Sequence, residues 1–148
     1  ELGWDNIFRA PNGDAIPFGA PSIETLVPLI FSEGVVKREF PIWWMARMLS
    51  ENPARIFGIY PKKGIIQPGS DADLLIIDPD SKSTITAKKH QSTTGYTPYE
   101  DWEIQGNPWM TFLRGNVLLN DGNLEQSPGF GNFISAGSPV PPIAGISH

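Results

Sequence analysis

The chain of 148 residues has no cysteine and only two histidines. Without cysteine, a disulfide framework, a thiolate metal site and a cysteine nucleophile are excluded. No apolar run approaches the roughly eighteen residues of a membrane span. The N-terminus also lacks the basic residues followed by an apolar run that would indicate a signal peptide. Basic residues are few and interspersed, with a net charge of -5, which argues against a nucleic-acid partner. These absences predict a soluble, cytoplasmic protein with no membrane contact.

The residues that usually carry catalysis are also scarce. His90 lies in a polar stretch and His148 ends the sequence, and neither has a carboxylate or a second histidine at metal-ligand spacing. No serine stands in a Gly-x-Ser-x-Gly elbow. Gly129 and Gly131 lack the flanking strand and helix of a dinucleotide site. We therefore predict no catalytic residue and no metal ligand within this chain.

Two groups of acidic residues could be considered for chemistry. Asp71 and Asp73 precede an apolar stretch, but two carboxylates without further oxygen ligands are a weak cation pattern. Glu100, Asp101 and Glu103 could supply paired carboxylates for acid–base work. Consecutive acids beside an aromatic residue are usually solvated, so Glu100, Asp101 and Glu103 are interpreted as surface acids. Asp71 and Asp73 are interpreted in the same way, because they lack further ligands.

The first half of the chain favours helices. Residues 1–21 show no periodicity and are predicted to form a loop. Apolar residues on helical spacing then predict a helix that is capped by Ser22, kinked at Pro28 and ended by Gly34. A second helix is predicted to begin at Pro41, which suits a first helical turn.

This second helix is apolar on nearly all sides, which is typical of a helix buried between neighbours. We predict that Asn52-Pro53 breaks it and that a short helical turn follows, ending at Gly58. A chain of 148 residues offers few such neighbours. The pattern therefore indicates missing partners.

The second half favours strands. The apolar run at residues 74–77 predicts a short strand buried on both faces, and weak alternation predicts another over residues 82–87. Two further strands, at residues 109–113 and 117–119, are predicted before an Asp121-Gly122 turn. The Gly/Pro/Ser-rich tail is expected to be extended or partly disordered.

Several motifs occur in the order in which one known family has them. Three of them resemble the join between barrel and β-domain in amidohydrolases: NPARIFG at residues 52–58, YPKKG at 60–64 and GSDADL at 69–74. More specific are TPYEDWE at 97–103, Gly106, TFLRG at 111–115 and PGFG at 128–131. The segment after the last barrel strand is matched by PNG at 11–13, GAPSIE at 19–24 and SEGV at 32–35. Over residues 1–134 the chain thus resembles the C-terminal part of a hydantoinase/dihydropyrimidinase-type cyclic amidohydrolase.

The resemblance implies an α+β fragment: the last helices of a (β/α)8 TIM barrel followed by most of a small β-sandwich. Residues 1–58 would end the metal-dependent hydrolase barrel, residues 59–126 would supply sandwich strands, and residues 127–148 would be a tail available for oligomer contacts. A whole barrel needs roughly 200 residues or more, so this chain cannot contain one. We expect exposed apolar strand edges and helix faces that another segment or chain would cover.

The resemblance also implies cofactors and partners. Enzymes of this family hold two divalent metals, usually zinc, through histidines, a carboxylated lysine and an aspartate, and all of these positions would precede Glu1. Such an enzyme opens cyclic amides, hydantoin or dihydropyrimidine rings, to N-carbamoyl amino acids with a metal-generated hydroxide. The isolated chain would bind no metal and be inactive. Its expected partners are the missing N-terminal barrel segment and further copies of the parent in a homo-oligomer, a dimer or tetramer.

One substrate contact carries over from the family, in which the loop after the last barrel strand presents an asparagine backbone to the amide edge of the substrate. Asn12 stands at the matching position, and Gly13 lets the chain approach closely. The stretch at residues 14–18 departs from the shorter hydantoinase loop. An ordinary Asn-Gly turn is the alternative interpretation.

Three interpretations of function stay open. The chain could be a piece of a metal-dependent cyclic amidohydrolase, or a piece of a non-catalytic dihydropyrimidinase-like scaffold protein. It could also be an independent β-rich binding domain, which predicts cooperative unfolding as a monomer.

Overall fold

The computed structural model describes residues 19–143. Two helical segments precede a four-stranded antiparallel sheet whose strands lie in the order β1-β2-β3-β4. This arrangement confirms the α+β class. Within residues 19–143, no helix is long and apolar enough to cross a membrane.

The first helical segment runs further than the sequence predicts. Helix α1 (Ile23–Leu29) contains Pro28 and passes directly into a π-helical stretch, Ile30–Val36. The predicted end at Gly34 is wrong, because the backbone stays helical until Glu39 adopts a left-handed φ of 56°. A left-handed residue just beyond the last turn is a common way to end a helix.

The second segment continues where a break was predicted. Helix α2 (Ile42–Ala46) passes through a π-helical stretch, Arg47–Glu51, into helix α3 (Asn52–Ile56). The change of hydrogen-bond register places Pro53 in the first turn of α3, where a missing N–H costs little. The predicted stop at Gly58 is confirmed by its left-handed φ of 68°.

The two strands predicted at residues 74–77 and 82–87 belong to one element. Strand β1 (Leu74–Thr84) pairs antiparallel with β2 (Glu103–Leu113), with a register shift between Asp78 and Lys82. That irregularity accommodates Pro79, which cannot donate a ladder hydrogen bond. Strand β2 begins at Glu103, well before the predicted start at residue 109.

The end of the sheet matches the prediction. Strand β3 (Asn116–Asn120) is joined to β4 (Asn123–Leu124) by two residues, Asp121 and Gly122. Both have positive φ, 47° and 81°, as a type I′ hairpin turn requires. Local chemistry alone specifies this turn.

The C-terminal tail is extended along α3 rather than free. Gly137 N donates to Gly58 O at 2.7 Å, and Val140 N donates to Arg55 O at 2.9 Å. Gly58 lies just beyond the end of α3, and Arg55 O also accepts Gly58 N at 3.2 Å, so Val140 adds a second hydrogen bond to that carbonyl.

The core between helices and sheet is small. Among residues 19–143, five apolar residues are buried: Phe31, Met45, Ala54, Ile85 and Ile104. The strand at residues 74–77 was predicted to be buried on both faces, which is wrong, because Leu75 and Ile76 are each 40% exposed. The two residues are adjacent in the strand, so their side chains point to opposite faces and each face is partly exposed there. The expected exposure of apolar faces is confirmed by other large side chains, among them Ile23, Ile42, Phe57, Trp102, Trp109 and Phe133.

Candidate functional site

The predicted substrate-contact pair, Asn12 and Gly13, lies outside the described residues, and so does His148. The described chain begins at Gly19, whose carbonyl accepts a hydrogen bond of 2.5 Å from the Tyr96 hydroxyl. Gly19 has a left-handed φ of 88°. The start of the described chain is thus held by the long connection between β1 and β2.

A second contact joins the same two regions. The Glu24 carboxylate accepts the backbone N–H groups of Gln91 and Ser92, each at 3.0 Å. An ionised acceptor makes stronger hydrogen bonds than a neutral one. Glu24 lies in the first turn of α1, where the helix dipole also favours a negative charge.

The connection, residues 85–102, is closed at its base. Ile85 N donates to Trp102 O at 2.9 Å, and Asp101 N donates to Ile85 O at 3.0 Å. Glu100 accepts a hydrogen bond of 2.8 Å from Ala87 N. The Glu100 carboxylate therefore binds a backbone group rather than pairing with Asp101 or Glu103.

The other acidic group forms an ion-pair cluster around Lys63. Its ammonium group lies 2.9 Å from Asp71 Oδ2 and also contacts Asp73. The second Asp73 oxygen accepts Arg114 N at 2.8 Å. The two aspartates are thus partnered by cations and by a backbone donor rather than presented to a metal ion.

The ionisation of this cluster follows from its contacts. The Lys63 ammonium, 2.9 Å from Asp71 Oδ2, holds the pKa of Asp71 below its usual range, helped by other nearby positive charge. Partial burial acts to lower the pKa of Lys63, but the contacts with Asp73 and Asp71 outweigh it and raise that pKa. Both groups are therefore stabilised in their charged forms.

Arg114 links the sheet to the tail. It occupies the turn between β2 and β3 with a φ of 50°, donates to Phe130 O at 2.6 Å, and places its guanidinium 4.8 Å from the Phe130 ring centroid. These contacts combine a charge-assisted hydrogen bond with a cation–π interaction. They fix the PGFG motif in place.

Two apolar clefts flank the helical layer. One, of about 360 Å³, is lined partly by Phe40, Trp44, Tyr99 and Trp102. The other, of about 430 Å³, lies between Phe31 and the apolar residues of β1. Both clefts are lined mainly by apolar residues, which suits them to pack against other apolar side chains. Among residues 19–143, no three His, Cys, Asp or Glu side chains converge on a point where they could hold a metal.

Sequence reasoning missed Glu24, Tyr96 and Lys63. Glu24 meets its partners across 67 and 68 positions, and Tyr96 meets Gly19 across 77, so no local pattern could have paired them. The length of the connection was a usable signal, because loops longer than about 12–15 residues are usually functional or disordered.

Comparison with known proteins identifies a family model and relatives that match this chain. The profile described as "Amidohydrolase family" matches residues 25–118. The L-hydantoinase of Paenarthrobacter aurescens is 36% identical over 135 residues, which are 91% of this chain and 28% of that protein. The D-hydantoinase of Geobacillus stearothermophilus is 37% identical over 134 residues, 90% of this chain and 27% of that protein.

A solved structure extends the similarity to three dimensions. The D-hydantoinase (dihydropyrimidinase) of a Thermus species superimposes with a TM-score of 0.77 at 33% identity, covering 87% of this chain and 29% of that one. The chain thus spans between a quarter and a third of the length of the relatives it matches.

Proposed function

This chain belongs to the amidohydrolase family, as a partial homologue of the hydantoinases and dihydropyrimidinases, and from that premise we propose that it is the C-terminal part of a cyclic-amide hydrolase. The parent would open hydantoin or dihydropyrimidine rings to N-carbamoyl amino acids. The observation that carries the proposal is 36% identity to an L-hydantoinase over 91% of this chain.

The proposal divides the chain as the resemblance implies. Residues 1–58 would close the (β/α)8 barrel of the parent, residues 59–126 would form most of its small β-sandwich, and residues 127–148 would be available for contacts between subunits. Support comes from the order of the elements, in which helical segments are followed by an antiparallel sheet. The exposed apolar residues on both layers supply the surface that such packing would cover.

Within the parent, this chain would contribute binding rather than bond cleavage. The backbone at Asn12 would hydrogen-bond the amide edge of the ring, and the absence of a side chain at Gly13 would permit that approach. Backbone donors and acceptors aligned with a cyclic amide orient the carbonyl for attack.

The metals of the family do not fit the described residues. Asp71 and Asp73 are taken up by Lys63 and by Arg114 N, and His90 belongs to no cluster of metal-ligating side chains within residues 19–143. In the proposal, two divalent metals, zinc by analogy with the family, belong to the part of the parent that precedes Glu1. A cytoplasmic, homo-oligomeric parent remains a prediction from the sequence.

The test compares the complete gene product with this chain alone. Both would be purified after growth with zinc and incubated with hydantoin and with dihydrouracil, and ring opening would be followed by the loss of ultraviolet absorbance. We expect turnover by the complete protein, loss of turnover on chelation and recovery with zinc, and no turnover by residues 1–148 alone. A complete protein that is folded and metal-loaded but inactive on both rings would instead support the non-catalytic scaffold.

A further inference from the structure

We propose that α3 and the turn after it form a docking site for a proline-rich extended segment, and that residues 137–143 of the same chain are its ligand. The docking site consists of Asn52, Arg55 and Gly58, and residues 137–143 are called the tail segment. The inference goes beyond the proposed function, because it concerns no step of ring opening. It predicts that the tail segment also binds when it is supplied as a separate peptide.

The contacts between the tail segment and the docking site follow a regular register. Six residues take part, in antiparallel pairs: Gly137 with Gly58, Val140 with Arg55, and Ile143 with Asn52. The first two pairs are joined by backbone hydrogen bonds of 2.7 and 2.9 Å. In the third pair, the Asn52 side chain donates to Ile143 O at 3.1 Å and accepts from Ile143 N at 2.8 Å. Every third residue of the tail segment is thus held by every third residue of the helical segment.

The prolines of the tail segment lie where no backbone donor is used. Proline has no N–H, and the tail segment has proline at positions 139, 141 and 142. The N–H groups that the docking site accepts belong to residues 137, 140 and 143. The tail segment therefore keeps each donor that the docking site requires, and three of its four other positions are proline.

These prolines also restrict the shape of the tail segment before it docks. The proline ring holds φ at about −65°, and the residue before a proline is confined largely to extended conformations. One or the other restriction applies to each residue from 138 to 142. Such a segment favours the polyproline II conformation, so it loses little conformational entropy when it binds.

The burial of the tail segment follows the same register. Val140 and Ile143 are partly buried, whereas the three prolines are exposed. At the other end of the tail segment, a Cβ on Gly58 would lie 2.2 Å from Gly137 O. The docking site therefore needs a glycine at position 58 to let the two backbones approach this closely.

The docking site recognises the backbone of its ligand more than its side chains. Asn52 offers one donor and one acceptor to a single residue, and the carbonyls of Arg55 and Gly58 accept from N–H groups that every residue except proline carries. The Arg55 side chain is engaged elsewhere, by Glu51 at 2.8 Å and by the Tyr60 ring. The ligand class is therefore an extended segment that has N–H groups at three positions, three residues apart, with prolines between them.

The test uses the complete gene product carrying Val140→Pro, which removes one required N–H and should free the docking site. A fluorescent peptide of residues 135–143 is titrated against it and followed by fluorescence anisotropy. Two variant peptides are compared. The Val140→Pro peptide lacks a donor that the docking site accepts, and the Ser138→Pro peptide is the matched control, because Ser138 N donates no hydrogen bond within the described residues.

We expect the Val140→Pro peptide to bind about fivefold or more weakly than the Ser138→Pro peptide, because it lacks one hydrogen bond. The wild-type peptide should bind the wild-type protein about tenfold or more weakly than the Val140→Pro protein, since the tethered tail segment competes at a high effective concentration. Equal binding in either comparison, or no binding of the wild-type peptide to the Val140→Pro protein, would overturn the inference.

Two further measurements identify the source of the ligand and avoid dependence on one variant. In sedimentation velocity, the wild-type and Val140→Pro proteins should have the same oligomeric state. A smaller assembly of the variant would mean that a second copy supplies the tail segment, which overturns the assignment to the same chain. In the wild-type protein, amide hydrogen exchange of residues 137–143 should be slower than in the free peptide, and equal rates would also overturn the inference. None of these measurements requires turnover of a cyclic amide.

Discussion

At the scale of single residues, a buried hydroxyl joins the helical layer to the sheet. Ser32 is completely buried, and its Oγ accepts a hydrogen bond of 3.1 Å from Gln105 N in β2. An unsatisfied buried donor costs about 1–3 kcal/mol. The Ser32 hydroxyl therefore contributes to stability by accepting the Gln105 N–H.

We predict that Ser32→Ala lowers the free energy of unfolding by about 1–3 kcal/mol, because Gln105 N loses its partner. Urea unfolding followed by tryptophan fluorescence measures the change. Ser50→Ala, at an exposed position of the second helical segment, is the control and should change stability by no more than about 0.5 kcal/mol. Equal effects of the two substitutions would contradict this account.

The Lys63 cluster predicts how stability depends on pH. Because the folded-state pKa of Asp71 is lowered, its contribution is present above the unfolded-state pKa and is lost as pH falls through the folded-state value. For Lys63, whose pKa is raised, the contribution is present below the unfolded-state pKa and is lost only as pH rises through the folded-state value.

We therefore expect Asp71→Asn to flatten the loss of stability on the acid side, below the ordinary range of carboxyl pKa values. Thermal unfolding recorded from acid to neutral pH tests this. Asp80→Asn, at an exposed acid, serves as the comparison and should retain the wild-type slope. An unchanged slope in Asp71→Asn would show that the ion pair does not govern acid stability.

At the residue scale, the sequence predicted no metal role for Asp71 and Asp73, which stays a prediction, and the reason it gave was incomplete. The prediction of exposed acids rested on the lack of further oxygen ligands. The structure shows that Lys63 contacts both aspartates and that Arg114 N donates to Asp73. Lys63 lies eight and ten positions from the two aspartates, whereas the Arg114 backbone donor lies 41 positions from Asp73. A contact that distant leaves no local sequence pattern.

At the scale of elements, a glycine in β2 makes the contact between layers possible. Gly106 has a left-handed φ of 87°, and a Cβ there would lie 2.1 Å from Cδ1 of Phe31. Phe31 is one of the few buried apolar residues. The helical layer therefore approaches the sheet over a position that only glycine can occupy.

Gly106→Ala is predicted to destabilise the fold by several kcal/mol, because overpacking of about 1–3 kcal/mol adds to the strain of a left-handed alanine. Gly122→Ala is a matched control: its φ is 81°, but nothing lies within 4 Å of the added Cβ, so it isolates the backbone strain. The difference in unfolding free energy between the two variants gives the packing contribution. A difference near zero would mean that Phe31 moves aside freely.

The elements also show what local sequence can specify. The Asp121-Gly122 hairpin was predicted correctly because its two residues suit positive φ. Gly34 was misread as a helix stop, because the backbone stays helical past it and a Cβ there would meet Phe40 and Trp44 at the ordinary contact distances of 3.6 and 3.8 Å. A glycine inside a helix looks the same in sequence as one that ends a helix.

At the scale of the whole molecule, the main feature is the contrast between a small core and a large exposed apolar surface. Ile23 is 91% exposed and Phe57 is 69% exposed, on layers whose inner residues are buried. Isolated apolar side chains at a surface are ordinary, but many on two adjoining layers mark an interaction surface.

We predict that residues 1–148, purified alone, self-associate and bind a hydrophobic dye, because these faces lack their covering. Sedimentation velocity over a range of concentrations and dye fluorescence provide the measurements. Co-expression with the N-terminal remainder of the gene product should suppress both signals. A monomeric chain that unfolds in one cooperative transition without dye binding would favour an independent domain instead.

The sequence predicted the exposure of these faces but not which residues would carry it. The run at residues 74–77 was predicted to be buried on both faces, yet burial depends on layers that the run itself does not encode. Family resemblance predicts a larger architecture that periodicity could not, and that architecture stays a prediction. The described residues show which apolar side chains are exposed.

The pairing of the tail with α3 also orders events during synthesis. The Asn52 side-chain amide donates to Ile143 O at 3.1 Å and accepts from Ile143 N at 2.8 Å. Its partner lies 91 positions later in the sequence and is therefore synthesised after it. Chains fold largely in the order in which they emerge from the ribosome. The segment after β4 is therefore made later than the helix it contacts, and a chain stopped after β4 would keep all four strands while leaving the Asn52 amide without Ile143.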